Sequence, residues 1–581
     1  MSTTNIGDVN TQFCATIVDE WVAQGVRHAV IAPGSRSTPL ALALVRRQEI
    51  ATTVVIDERS AAFRAFGIGR VSAAPAVVLC TSGTAAAHFH PAVIEAHHSN
   101  VPMIVCTADR PPELRDTGAG QTIDQVGIYG SSPRWFCDPG APINGQWSFW
   151  RSIAARGCVV ARGDSVVAAG PVHYNFAFRE PLVGNGEPLG TSGPRTFSSR
   201  LVAPESAVDT VRDLTVANPR GVIVAGWGCD MSPESLRQLS VATGWPVLAD
   251  AISNARQGDR TVCYYEALAR DGVASKELRP DIVLRVGAPL TSKATNEWLS
   301  DAAHQIVVDA HNVWLDPHRR CTLRVAAHGN EFAGALVAKL GSSDRASTEP
   351  AVDWFARWRQ CDATVNESFE RVFAGRRLLD GARVARDVVS ALTPGSHMLV
   401  ASSMPVRDLE WCMAPQQQAR IHANRGANGI DGLLATAVGI ALASGAPTCA
   451  VVGDLAFLHD AGSLLGLEDL CIDLTVVVVD NGGGGIFSFL PQAESTTPQE
   501  FELLFGTPQT VRVADVAAAY RVAVTTVDTP QRLRACLLEP GSGIRVIVAT
   551  TVDRVTEVAL HRELWEVSSD ALRAVPFDDA R

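Results

Sequence analysis

The sequence predicts an α/β protein of three doubly wound parallel-sheet domains, and three observations carry that prediction. Its 581 residues exceed what one core organises, because single cores stop growing near about 250–300 residues. Two stretches, Gly184 to Arg200 and Gly341 to Asp353, have the Gly/Ser/Pro composition of linkers and divide the chain into blocks 1–190, 200–342 and 353–581. Within each block, short apolar runs alternate with longer amphipathic ones, the pattern of strand–helix–strand units and hence of a parallel sheet.

In the first block the predicted strands are Ala29–Ala32, Thr53–Ile56, Val77–Cys80 and Met103–Thr107. The second block offers Gly221–Ala225, Ile282–Val286 and Gln305–Val308. The third offers His397–Ala401, Cys449–Val452, Thr475–Val479 and Arg545–Ala549, with a closing amphipathic helix from Glu557 to Arg573. The most membrane-like stretch, Leu433 to Val452, is cut by Ser444, Gly445 and Pro447, so a buried helix, a turn and a buried strand are expected there.

Lys+Arg 50 against Asp+Glu 61 leaves a formal charge of −11, the wrong sign for a nucleic-acid reader or an anionic membrane surface. The 13 cysteines are odd in number and form no CxxC pair, which argues against a disulfide framework or a structural zinc site. The polar first residues lack the order of a signal peptide. A soluble cytoplasmic protein is expected. His88, His90, His97 and His98 resemble a metal cluster, but Pro91 interrupts any common helix. No phosphate-binding GxxxxGK[ST] loop and no GxGxxG occur.

In sheets of this kind ligands sit just beyond the carboxyl ends of the strands. The residues placed there include Ser35-Arg36 after the first strand, Arg110 after the fourth, Ser403 and Arg407 after His397–Ala401, and Arg425 after the short run at Ile421. Any one arginine is explained as well by a helix cap or a surface acid. Four at the ligand edge of an acidic protein point to multiply anionic substrates, because the planar guanidinium grips carboxylates in pairs of hydrogen bonds.

The strongest local signal is Gly453-Asp454 ending one strand and Asp480-Asn481 ending another, followed by glycines 482 to 485. A carboxylate and an amide oxygen at adjacent strand ends suit Mg²⁺, which takes its other ligands from phosphate and water. The glycines let backbone approach a phosphate closely. Tight strand–helix turns would also use these residue types.

This Gly-Asp to Asn spacing, about 26 residues, resembles the signature of thiamine-diphosphate enzymes, with Leu455 where most members carry a second glycine. PGSRSTPL (Pro33–Leu40), DER (Asp57–Arg59), TSGTA (Thr81–Ala85), ADRPPELRDTGAGQ (Ala108–Gln121) and NRGANGIDG (Asn424–Gly432) further resemble the menaquinone-pathway SEPHCHC synthases of that superfamily. The resemblance implies pyrimidine-binding, central and diphosphate-binding domains, thiamine diphosphate with Mg²⁺ or Mn²⁺, and a homodimer or homotetramer with sites between subunits. It also implies decarboxylation of 2-oxoglutarate and addition of the remaining succinyl unit to isochorismate. Glu58 would activate the coenzyme. Ile430 would bend it, Asp454, Asn481 and Gly483 would hold its metal-bound tail, and Ile486 and Phe487 would line the pocket. Ser403, Arg407 and Arg425 would hold 2-oxoglutarate. Ser35, Arg36, Arg110, Gln121 and Lys293 would hold isochorismate, with Ala294 where the family often has a second basic residue. Other 2-oxo-acid carboligases of acetolactate-synthase type need fewer arginines. A non-catalytic binding protein would not need Glu58, Asp454 and Asn481 together.

Overall fold

The computed structural model describes residues 5–576, apart from 73, 165, 193–200, 312, 342–348, 415–418, 540 and 542. Each block supplies one six-stranded sheet whose strands pair only in parallel. The first contains β1 (His28–Ile31), β2 (Ala51–Val54), β3 (Ala76–Cys80), β4 (Met103–Asp109), β5 (Trp135–Cys137) and β6 (Pro171–Ala177), in the order 2-1-3-4-6-5. The second contains β7 (Gly221–Ala225), β8 (Val247–Ala249), β9 (Thr261–Val262), β10 (Ile282–Val286), β11 (His304–Val308) and β12 (Leu323–Val325), in the order 12-11-10-7-8-9. The third contains β13 (His397–Val400), β14 (Arg420–His422), β15 (Thr448–Gly453), β16 (Leu474–Asp480), β17 (Ala523–Val527) and β18 (Ile544–Thr550), in the order 14-13-15-16-18-17.

Helices cover both faces, so central strands such as β3, β4 and β16 are buried on both sides and read as near-continuous apolar runs. All eleven strands expected from the sequence are present, most within a residue or two. The second has slipped: it was expected at Thr53–Ile56 but spans Ala51–Val54, because the chain turns outward at Ile56 to reach the helix cap Asp57. Leu433 to Val452 resolves as anticipated into the helix Leu433–Ser444, Gly445 in the left-handed region, and β15. No helix among the described residues is long and apolar enough to cross a membrane.

The expected linkers behave differently. Residues 193–200 and 342–348 lie outside the described residues. The first half of the earlier one is bound to the helix Ile6–Ala23: Asp8 accepts from the Asn185 amide at 2.7 Å and Thr16 from Leu189 at 2.9 Å. The later one ends inside a helix, Glu349–Gly375. Trp354, Trp358, Val365 and Phe369 of that helix pack into the central core, so apolar burial draws it onto the second sheet rather than the third.

The first and third blocks meet through the helices Glu58–Val71 and Leu433–Ser444. Two glycines permit the approach. A Cβ at Gly67 would stand 2.2 Å from the Thr436 carbonyl oxygen, and one at Gly439 would stand 2.2 Å from that of Arg64. A larger residue at either position would push the helices apart.

Candidate active site

In the third sheet, β13 and β15 lie side by side while their crossovers run in opposite directions. That makes the gap between their carboxyl ends a switch point, where doubly wound folds bind ligands. A cavity of about 190 Å³ opens there, lined by Ser403, Ile430, Asp454, Asn481, Gly483, Ile486 and Phe487 among others. Seven of the residues expected at the site are thus gathered in one place, all from the third block.

Parallel register explains the metal-type pair. Gly453 of β15 sits opposite Val479 of β16, so Asp454 and Asn481 leave neighbouring strand ends together. Asp454 is buried, and its carboxylate accepts from the Leu455 amide at 2.8 Å. Burial pushes its pKa up to about 6, with nearby Asp480 adding to the rise and the Leu455 and Gly483 amides opposing it. A buried carboxylate raised in this way gains most from a cation. Beside it the Asn481 Oδ1 is buried with no hydrogen-bond partner, an acceptor that a metal ion would satisfy. Gly483 has φ +133°, and a Cβ there would come within 2.1 Å of the Gly506 carbonyl oxygen. Only glycine fits this turn. The residues present therefore suit a hard divalent ion carrying a phosphate tail.

Ser403, with φ +76°, opens the helix Met404–Cys412, and its carbonyl accepts a hydrogen bond from the Arg407 guanidinium. Ser402 donates to the Asn424 carbonyl at 2.9 Å, which brings the Asn424–Gly432 loop alongside. Glu95 of the first block fixes that loop by accepting from the Gly426 and Ala427 amides at 2.8 and 2.6 Å. Arg407 and Arg425 are then close enough to feel each other: burial first, and Arg425 second, lower the Arg407 pKa. An anion placed between them would relieve both costs.

A second cationic cluster forms at the β1/β3 switch point of the first sheet. Arg36 is buried, donating to the Phe178 carbonyl at 3.0 Å and to Glu180 at 3.0 Å. Arg110 bonds the Ser82 hydroxyl, and Gln121 donates to the Ser82 carbonyl at 2.9 Å. Burial, then Arg36, lowers the Arg110 pKa. Ser35 is exposed beside them. Lys293 is not gathered with this group: its side chain is 89% exposed, 3.5 Å from Glu297 on the same helix. The loop before it does reach inward, since the Thr291 amide donates to buried Asp250, an acid that also attracts Arg425.

Glu58 begins the helix Glu58–Val71, half-buried, while Asp57 takes the capping role by accepting from the Arg59 and Ser60 amides. Arg59 turns away to the His459 carbonyl, 3.0 Å, and toward Asp460. Glu58 is therefore neither the cap nor Arg59's partner. It does not line the cavity, all of whose lining residues fall between Gly381 and Glu557. Exposed Val54 and Ile56, at 66% and 65%, lie close before it in the chain.

Lining residues that escaped the sequence reading include the two acids Asp408 and Glu557, together with Gly381. Glu557 and His561 belong to the buried stripe Glu557, His561, Leu564, Ser568 and Leu572 of the helix Arg554–Leu572. Two titratable groups in an otherwise core-facing stripe are the signal that could have found them. The four suspect histidines form no metal cluster among the described residues; His97 instead contacts the Ser132 carbonyl at 2.6 Å.

Comparison with known proteins gives the same picture. Models of the thiamine pyrophosphate enzyme N-terminal TPP-binding domain, middle domain and C-terminal TPP-binding domain match residues 12–128, 198–400 and 408–540. The chain is 42% identical to the 2-succinyl-5-enolpyruvyl-6-hydroxy-3-cyclohexene-1-carboxylate synthase of Thermobifida fusca, over 97% of its own length and 100% of the relative's. It is 39% identical to the enzyme of that name from Myxococcus xanthus, covering 98% and 99%, and 37% identical to that from Chloroflexus aurantiacus, covering 97% of each. With three sheets, a metal-type switch-point cavity and relatives matching end to end, the chain belongs to the 2-succinyl-5-enolpyruvyl-6-hydroxy-3-cyclohexene-1-carboxylate (SEPHCHC) synthase family of thiamine-diphosphate-dependent enzymes.

Proposed function

We propose that the chain condenses 2-oxoglutarate with isochorismate, releasing carbon dioxide and forming SEPHCHC. The observation carrying this reading is that the two switch-point sites each hold a pair of arginines, one beside the metal-type cavity and one on the first sheet. Each substrate brings two carboxylates, and each arginine pair offers a matched place for them. Asp454, Asn481 and Gly483 would hold Mg²⁺ or Mn²⁺ with the diphosphate of the coenzyme. The bound coenzyme supplies a nucleophilic carbon and an electron sink for loss of carbon dioxide.

The chain's own residues do the rest. Arg407 and Arg425, with Ser403, bind and orient 2-oxoglutarate, while Arg36, Arg110, Gln121 and Ser35 receive isochorismate; Lys293, exposed on its own helix, stands outside this set. Ile430, Ile486 and Phe487 form an apolar wall that excludes water. Glu58 holds a proton at the pyrimidine ring nitrogen of the coenzyme. Because Glu58 lies outside the cavity of its own chain, it serves the cavity of a second copy, so the active unit is a homodimer or a homotetramer built from such dimers.

The test follows isochorismate loss by absorbance with the protein, thiamine diphosphate, Mg²⁺ and 2-oxoglutarate. Turnover is expected with 2-oxoglutarate and none with pyruvate. Glu58→Gln should cut turnover about 10²–10⁴-fold while leaving coenzyme binding intact by equilibrium dialysis. Full activity in that variant would overturn the role assigned to Glu58, and use of pyruvate would overturn the substrate assignment.

A further inference from the structure

The floor of the switch-point cavity carries charged groups that the reaction does not use. Asp408 comes from the helix Met404–Cys412, Glu557 and His561 come from Arg554–Leu572, and Asp380 caps the helix Gly381–Ala391. His561 Nε2 lies 2.8 Å from Asp408 Oδ1, and its Nδ1 lies 3.6 Å from Glu557 Oε1. Arg376 donates to Asp380 at 2.8 Å. Asp408 also feels Arg407. Within this knot three carboxyl groups meet two close cations: Arg376 is bonded to Asp380 and His561 to Asp408, leaving Glu557 only the longer 3.6 Å contact with His561. Glu557 is the one left over.

Its geometry agrees. Glu557 is 4% exposed, and one oxygen accepts from the Gly381 amide at 2.9 Å. The other, Oε2, is buried with no hydrogen-bond partner, although the residue lines the cavity. A bare carboxylate there would share one cavity with the anionic tail that Asp454 and Asn481 are arranged to hold. Three residues earlier on the same helix, Arg554 approaches the Gly483 turn, so this end of the cavity is the phosphate end. A carboxylate would repel such a ligand, whereas a carboxylic acid would donate to it.

We propose that Glu557 Oε2 carries a proton and donates it as a hydrogen bond to an oxygen of the coenzyme's diphosphate, making Glu557 a binding residue of the cavity. The inference rests on the thiamine-diphosphate reading above. Burial, with Asp408 and Asp380 adding to it against the pull of His561, pushes the Glu557 pKa up to about 8. His561 is itself held up to about 9, because Asp408 and Glu557 outweigh its burial. Glu557 therefore keeps its proton at neutral pH, and both the donor and the neutrality disappear as pH rises above that value.

The test is the dissociation constant of thiamine diphosphate at fixed Mg²⁺, by equilibrium dialysis from pH 6.5 to 9.5, for wild type, Glu557→Gln and Glu557→Ala. Glutamine keeps a neutral donor at every pH. Wild-type affinity should fall toward tenfold per pH unit above about 8, and Glu557→Gln should lack that fall. Glu557→Ala should bind roughly tenfold or more weakly at pH 7, as expected for a lost hydrogen bond to a charged group. Inorganic diphosphate as competitor should show the same ordering. Parallel wild-type and Glu557→Gln profiles would overturn the proposal, and that comparison stands even if the alanine variant fails to fold. Absence of coenzyme binding by the wild type at pH 7 would instead overturn the coenzyme reading, and the proposal with it.

Discussion

Gly482 and Gly483 are adjacent, and both have positive φ, yet they answer to different constraints. At Gly482 φ is +75° and nothing lies within 4 Å of an added Cβ. At Gly483 φ is +133° and the added atom would strike the Gly506 carbonyl oxygen at 2.1 Å. Gly483→Ala should therefore cost about 1–3 kcal/mol in backbone strain, plus the displacement of the Gly506 segment. Gly482→Ala, near the left-handed region that alanine can enter, should cost less. Urea unfolding of the coenzyme-free protein would separate them, and equal costs would show that the turn yields freely. Residues of this kind were legible because glycine and aspartate at strand ends report directly on backbone geometry. Glu557 was not, because an acid in an apolar stripe is read as solvent-facing unless its partners are known, and those partners come from segments far away in sequence. Lys293 shows the converse, since a motif match says nothing about where a surface helix stands.

Among the elements, the long apolar runs were easy to read and the short strands were not. β8, β9, β12 and β14 have two or three residues each, too few for any periodicity to register. β6 was missed for another reason. Its sequence Pro-Val-His-Tyr-Asn-Phe-Ala looks polar, yet all seven residues are buried. Asn175 donates to Asp109 at 3.0 Å, and His173 meets Thr107 at 2.9 Å, so buried partners replace water. The helix Met404–Cys412 also does more than its length suggests. Besides carrying Arg407 and Asp408, it sends Glu410 into the central block. There Arg256 donates at 2.8 Å, the Ala251 amide at 2.7 Å, and the Tyr265 hydroxyl also binds it. Both ends of the ion pair are at most 1% exposed, and Glu410 raises the Arg256 pKa well above its usual value once the burial cost is met. Removing one partner strands the other. Glu410→Ala is expected to destabilise the protein by about 3–5 kcal/mol, with Glu410→Gln losing less because it can still accept. Equilibrium urea unfolding measures both, and a neutral Glu410→Ala would mean that water replaces the carboxylate.

For the molecule as a whole, the first and third sheets share one strand order and each presents a cationic switch point, yet the chain's own cavity holds residues from only the third block. The sequence could suggest this division between blocks only through resemblance, since the arrangement of two copies has no local signature. The proposed dimer makes a definite claim about complementation. Under two-fold symmetry each site takes Glu58 from one subunit and Asp454 with Asn481 from the other. Glu58→Gln and Asp454→Ala homodimers should each be inactive. In a heterodimer of the two, one site inherits both lesions and the other inherits neither. Random reassembly of equal amounts makes about half the dimers mixed, each with one intact site of two, so about a quarter of wild-type activity should return. Refolding the two variants together and assaying isochorismate loss measures this recovery. If both groups acted within one chain, every chain in the mixture would still carry a lesion, and no activity would appear.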